Sequence, residues 1–279
     1  MLNFSPSVTV IIPTYNRGYC LGESIRSVMA QTRADFELLV VDDGSTDGTE
    51  NIVRRFPEVR YIRCEKNSGV SRARNLGVQQ ARGRYLCFLD SDDVWREKKL
   101  ETQISWMESH RDCPVSYTDE IWIRRGRRVN PMNKHRKYSG DIFRHCLPLC
   151  IVSPSSVMMR ASLFSEVGGF DEKMPVCEDY DLWLRIAFKY RFHFIEKKLI
   201  IKQGGHEDQL SRRYWGMDRF RVYALKKLLD EPSLDGERRR RVLETFLYKC
   251  GILIQGFSKR GKAAEAGYYR SLAEHYSGG

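Results

Sequence analysis

The sequence predicts an α/β protein: residues 1–205 build on a mostly parallel sheet with helices on both faces, and residues 206–279 form a C-terminal helical appendage. Three observations predict it. Over the first ninety residues short apolar runs alternate with amphipathic stretches. Aspartates gather where alternate strands stop. Beyond Gly205 the apolar spacing becomes helical only.

In chain order, Val8–Pro13 is strand-like, and Leu21, Ile25, Val28 and Met29 then recur at helical spacing. Phe36–Val41 is a second strand, followed by a short helix capped by Thr46 or Asp47 and ending near Phe56. Val59–Arg63 is a third strand, Ser71–Ala81 a third helix closed by Gly83, and Tyr85–Leu89 a fourth strand. Strands joined by helical crossovers run parallel, and ligands of such sheets bind beyond the carboxyl ends of the strands. After Asp93 the order is less regular. A helix over Glu97–His110 precedes strands at Val115–Thr118 and Ile121–Arg124. Further strands at Ser155–Arg160 and Phe192–Ile201 flank a helix from Glu178 to about Tyr190. In the tail, Met217, Phe220, Ala224 and Leu228 make one helical stripe, and Leu243, Phe246, Leu247, Cys250 and Ile254 another. The closing segment GFSKRGKAAEAGYYRSLAEHY has the spacing of a helical hairpin.

The 279 residues carry 47 Lys+Arg against 36 Asp+Glu, a formal charge of +11, with 42% hydrophobic residues. That composition excludes a disordered chain and suffices for a sizeable core. No stretch approaches the ~18 apolar residues that cross a bilayer, and the opening MLNFSPSVTVIIPTYN lacks the features of a secretory signal, so the expected location is cytoplasmic. The excess charge is local. RRGRRVNPMNKHRK, residues 124–137, holds seven Lys or Arg and no acid; without it the charge is +4. Gly126, Asn130, Pro131 and Asn133 mark a loop or hairpin tip there. Aromatic residues do not interleave it, so no nucleic-acid partner is expected, whereas an anionic acceptor or an acidic membrane surface would be attracted. The expectation is peripheral contact on the cytoplasmic face of the membrane. A second basic run, Arg238–Arg241, reads as a solvated helix face. The eight cysteines contain no CxxC pair and read as reduced, mostly buried thiols; Cys146 and Cys150 share a helix face if that segment is helical, but without histidines they make a poor zinc site.

Chemistry is expected at the strand ends. Strand two stops in Val41-Asp42-Asp43-Gly44-Ser45 and strand four in Leu89-Asp90-Ser91-Asp92-Asp93. Two carboxylate clusters on one sheet edge repel unless a cation or donors stand between them. Oxygen ligands of this kind suit Mg²⁺ or Mn²⁺ completed by substrate phosphates. The first loop, Pro13-Thr14-Tyr15-Asn16-Arg17, lacks G-x-G-x-x-G, and the chain lacks a Walker loop, so phosphates must be held by metal and basic side chains. A third acidic site, Glu178-Asp179-Tyr180-Asp181, opens a helix whose dipole keeps an acid ionised.

VTVIIPTYNR, FELLVVDDGSTDGT, NSGVSRARNLGVQQARGRYLCFLDSDDVW and GGFDEKMPVCEDYDLWLR together resemble glycosyltransferase family 2, inverting enzymes of the Rossmann-like GT-A fold that use nucleotide-sugar donors; the likeness covers about residues 7–205. The resemblance implies that Thr14, Tyr15 and Asp43 contact the nucleotide base, and that Asp90, Ser91 and Asp92 form the metal-binding D-x-D motif. Asp92 and Asp93 come nearest the cation. It further implies that Arg74 meets the diphosphate or braces the loop, that Asp179 is the catalytic base, and that His206 turns towards metal or diphosphate. A UDP-sugar donor, Mn²⁺ or Mg²⁺, and a saccharide, lipid-linked or other hydroxyl acceptor follow from it, in bacterial surface polysaccharide or lipid-linked glycan assembly. Two other readings stay open: a nucleotidyltransferase, which needs a Gly- and basic-rich triphosphate loop that is not visible, and a non-enzymatic basic module on anionic membrane or nucleic acid.

Overall fold

The computed structural model describes residues 6–206 and 213–278. Its N-terminal half follows the expected alternation. β1 (Val8–Thr14), α1 (Leu21–Met29), β2 (Phe36–Asp42), α2 (Thr49–Val53), β3 (Arg60–Arg63), α3 (Val70–Gln79) and β4 (Tyr85–Phe88) give parallel neighbours in the order β3-β2-β1-β4. All seven residues of β1 are buried, because both faces of the strand are covered. Val8, Val10 and Ile12 pack with Leu21, Ile25 and Val28 of α1 on one face, and Ile11 packs with Ala73 of α3 on the other.

Beyond β4 the sheet turns mixed. β5 (Val94–Trp95), α4 (Lys99–Ser109), β6 (Val115–Arg124), β7 (Arg127–Val129), α5 (Phe143–Cys146), β8 (Val157–Arg160), α6 (Ala161–Val167), α7 (Glu178–Lys189) and β9 (His193–Gly204) extend the order as β4-β8-β6-β9-β5, with β7 paired to β6. β8 is antiparallel to both β4 and β6, while β6 and β9 run parallel. The two strands expected around residue 120 are one ten-residue strand. Its register against β9 shifts between Thr118 and Glu120, so the break in apolar alternation is a bulge, not a turn. Cys146 ends α5 and Cys150 lies past it, so the two thiols share no helix face; all eight cysteines are free.

The tail folds as α8 (Asp218–Leu229), α9 (Gly236–Ser258) and α10 (Ala263–Ser277). Asp235 caps α9 by accepting from Arg238 N–H at 2.7 Å. α9 and α10 pack against each other as the expected helical hairpin, and α8 packs on α7. Leu225, Leu228 and Phe246 belong to the same apolar cluster as Phe143 and Trp183, so no apolar gap separates tail from sheet. Among the described residues no helix is long and apolar enough to cross a membrane.

Candidate active site

Three loops leave the carboxyl edge of the sheet and are stitched together. Asn16, at φ 52°, donates its N–H to Ser45 Oγ at 2.8 Å, and its side chain accepts from Thr46 N–H at 2.8 Å. Asp43 N–H donates to Thr14 O at 2.9 Å, and the Asp43 carboxylate accepts from the N–H groups of Ser68 and Gly69 at 2.9 and 2.7 Å. Gly44 needs its missing side chain: at φ 78° a Cβ would stand 2.8 Å from the Lys66 backbone. Burial pushes the Asp43 carboxyl upward, against those two donors. Asp42 is turned inward, accepting from Tyr61 OH at 2.5 Å and Ser45 N–H at 2.8 Å.

A cavity of about 560 Å³ opens above these loops. Every expected site residue except His206 lines it, and His206 reaches it through Asp92. Thr14 Oγ1 is buried there with no partner among the described residues, the condition of a hydroxyl left for a ligand. Asp179 lines the same cavity from the start of α7. Cys177, at φ 61°, makes the left-handed turn that starts α7 and sets Glu178 and Asp179 in its first turn. Asp179 Oδ1 accepts from Tyr180 N–H at 2.7 Å and Oδ2 from the Cys150 thiol at 3.4 Å.

Of the two roles implied for Arg74, the geometry matches bracing. Its guanidinium is buried between Asp90 Oδ1 at 2.7 Å and Glu178 Oε1 at 2.5 Å, tying the end of β4 to the start of α7. Asp93 is buried as well, accepting from Ser155 Oγ at 2.7 Å and Gln203 N–H at 3.0 Å. Burial lifts its carboxyl well above the usual range. Asp92 is different. Burial opposes its charge, but His206, Arg17 and Lys202 hold it below the usual range. His206 Nε2 lies 2.8 Å and Arg17 Nη1 3.7 Å from Asp92 Oδ2. Among the described residues no three His, Cys, Asp or Glu side chains converge as a metal cage. One carboxylate beside one imidazole nevertheless fits Mg²⁺ or Mn²⁺, which take few protein ligands and fill the shell with phosphate oxygens and water.

Sequence reasoning missed several wall residues. Lys202 interrupts the apolar run of β9; burial disfavours its charge, but Asp93, Glu120, Asp90 and Asp179 outweigh that and keep it protonated. A lysine closing the run Leu199-Ile200-Ile201 just before Gly204-Gly205-His206 was the available signal. Cys150 had none. The tail supplies Arg213, Tyr214, Met217 and Arg221 to the cavity wall, so the appendage takes part in the site.

Residues 9–168 match the profile of Glycosyl transferase family 2. The chain belongs to that family. An uncharacterized glycosyltransferase of Rickettsia felis is 37% identical over 196 residues, covering 69% of this chain and 32% of that protein. The putative teichuronic acid biosynthesis glycosyltransferase TuaG of Bacillus subtilis is 40% identical over 122 residues, 42% of this chain and 48% of TuaG. The chain thus spans about a third of the length of the first curated relatives it matches. Among solved structures, S. aureus TarS 1-349 in complex with UDP-GlcNAc superposes with TM-score 0.67 at 18% identity, covering 97% of this chain and 91% of that one. The mannosyltransferase PcManGT of Pyrobaculum calidifontis, in complex with GDP-Man and Mn²⁺, gives 0.64 at 17%, covering 99% and 85%. At these identities the likeness shows the fold alone, the GT-A fold.

Proposed function

We propose that the chain is an inverting, metal-dependent glycosyltransferase that moves a sugar from a nucleotide-diphosphate donor, a UDP-sugar first, to a hydroxyl of a saccharide, lipid-linked or other acceptor in the assembly of bacterial surface polysaccharide or lipid-linked glycan. The observation that carries the reading is that Asp43, Asp92 and Asp179, from three separate loops, line one cavity. Names borne by relatives support it: TuaG is a putative teichuronic acid enzyme, and the two solved structures hold UDP-GlcNAc and GDP-Man with Mn²⁺. In this reading 1–205 is the catalytic domain and 206–279 an appendage closing its cavity.

Thr14, Tyr15 and Asp43 take the base end of the donor. Tyr15 is exposed enough to pack on a ring, and Thr14 Oγ1 has no partner among the described residues. Asp90 and Ser91 carry the loop that faces the diphosphate, Arg74 braces it, and Asp93 backs it from the buried side. Asp92 and His206 would hold a divalent cation, which would supply neutralisation of the charge that grows on the departing diphosphate. Arg17 and Lys202 add fixed positive charge on that wall. An acceptor hydroxyl titrates far above neutrality, so Asp179 removes its proton as the oxygen attacks the anomeric carbon opposite the leaving nucleotide. Attack and departure on opposite faces invert the configuration, and no sugar–enzyme bond forms.

The test is a panel of nucleotide-sugars, with and without Mn²⁺, read by thermal unfolding. A donor at about 100 times its Kd adds about 2.7 kcal/mol of stability. For a chain of this size that is a shift of several degrees. A flat response to every donor refutes the reading.

A further inference from the structure

We propose that the β6–β7 hairpin is a docking surface for an anionic lipid bilayer and holds the mouth of the cavity at the membrane. Only the purpose of docking rests on the glycosyl-transfer reading; the binding itself is independent of it.

Arg125 at φ 50° and Gly126 at φ 73° form a two-residue turn whose twist matches the flanking strands. The register sets Arg124 directly opposite Arg127, and Ile123 opposite Arg128. Like charges facing each other across a strand pair destabilise it. Among the described residues no ion pair engages Arg124, Arg125, Arg127, Arg128, Lys134 or Arg136. The other basic run contrasts with this, since Arg238 pairs with Asp141 at 3.1 Å and Arg241 with Glu237 at 2.8 Å. Lys137 also drops out, because it turns inward to Glu120 at 2.6 Å.

Six cations are left on an exposed ribbon, and Met132, 59% exposed, stands among them. Arg124 is held over the Trp122 ring at 5.4 Å, which stiffens its placement. Cations for headgroups beside an apolar side chain for the acyl boundary is the chemistry of an interfacial lipid contact. A free anionic chain would be gripped by donors on several sides, whereas residues 124–128 and 130–134 are open surface. The ribbon is continuous with the active site. Arg124 pairs with Gly204 of β9, Arg125 N–H donates to Gly204 O at 3.2 Å, and two residues on His206 meets Asp92. A lipid-held acceptor would be presented at that edge.

Co-sedimentation of the full chain with vesicles of phosphatidylcholine containing about 30% phosphatidylglycerol, against pure phosphatidylcholine, tests the proposal. Binding to the anionic vesicles is expected, at least about tenfold weaker to the neutral ones, and lost in about 0.5 M salt. The variant Arg124→Gln/Arg125→Gln/Arg127→Gln/Arg128→Gln should bind on the order of a thousandfold more weakly. Its melting temperature should be equal or higher, because mutual repulsion is removed, while Arg240→Gln/Arg241→Gln binds as the parent does. Equal binding to both vesicles, or undiminished binding by the quadruple variant, overturns it. So does soluble polyphosphate binding without vesicle binding, which would assign the hairpin to a free anionic chain. Asp179→Asn should bind vesicles fully, so failure of vesicle binding and failure of the donor panel are read separately.

Discussion

Replacing Arg74 by Met keeps much of the bulk of the side chain but removes the guanidinium, which lies 5.1 Å from the Phe170 ring centroid, and strands two carboxylates. The Arg74 and Glu178 side chains are only 4% and 6% exposed. Removing one partner of a buried pair costs about 3–5 kcal/mol, a large share of the ~5–15 kcal/mol that holds a typical protein folded. The cost should depend on pH with a definite sign. Burial already pushes Glu178 up to about 7 with Arg74 opposing it, whereas an unfolded glutamate titrates near ~4.3. A folded pKa above the unfolded one gives stability that is fully present below the unfolded value and lost as pH rises through the folded one. Without Arg74 the folded value climbs further, so the deficit of Arg74→Met should exceed its pH 5 value by up to ~1.4 kcal/mol at pH 8, the pH unit that lies above the parent's folded value. Urea unfolding followed by the fluorescence of the five tryptophans measures both. A deficit below ~1 kcal/mol at pH 8, or equal deficits at the two pH values, would refute the buried-brace argument.

Asp179→Asn should lower turnover by about 10²–10⁴ while leaving donor-induced thermal stabilisation in place; turnover close to the parent's would place the base elsewhere. Asp92→Ala and His206→Ala should each erase the Mn²⁺-dependent part of that stabilisation, and retention of it in both would dismiss the pair as the cation site. Glu120 is buried, which opposes its charge, yet Lys137, Lys202 and Ser153 hold it down at about 2. Its stabilising contribution, about 3 kcal/mol, is therefore present above the unfolded pKa and lost as pH falls towards 2; Lys137→Met should flatten that acid limb in urea titrations, and an unchanged limb counts against the assignment. Gly83→Ala would set a Cβ 2.3 Å from Thr9 N and 2.5 Å from Val8 C, so a loss of ~1–3 kcal/mol and a melting point several degrees lower are expected.

The parallel half was legible because its signals are local. Runs such as Val8–Pro13 and Phe36–Val41 need only period and flanking turn residues, and parallel pairing follows from the helices between them. Asp43 and Asp92 were legible as strand-end residues and Asp179 as an acid opening a helix, and the three line one cavity. The second half was less so. The antiparallel insertion of β8 between β4 and β6, and the bulge that joined two apparent strands into β6, are matters of pairing between distant segments, which leave no mark in either segment's own pattern. The condition for Cys146 and Cys150 to share a helix face is not met, since the helix of that segment stops at Cys146, and both thiols are free as expected.

Taken alone, the chain of residues determined the strands and helices of the parallel half, that strand-end acids would crowd one edge, and that positive charge concentrates in residues 124–137. Tertiary structure decided which charges are neutralised. Arg74 finds Glu178 across 104 positions, Lys137 disappears against Glu120, Lys202 becomes the cation behind the acidic loop, and the arginines of the hairpin are left facing one another in solvent. The physical reason is that an ion pair's strength depends on distance and burial, and folding sets both after local sequence has chosen only the elements.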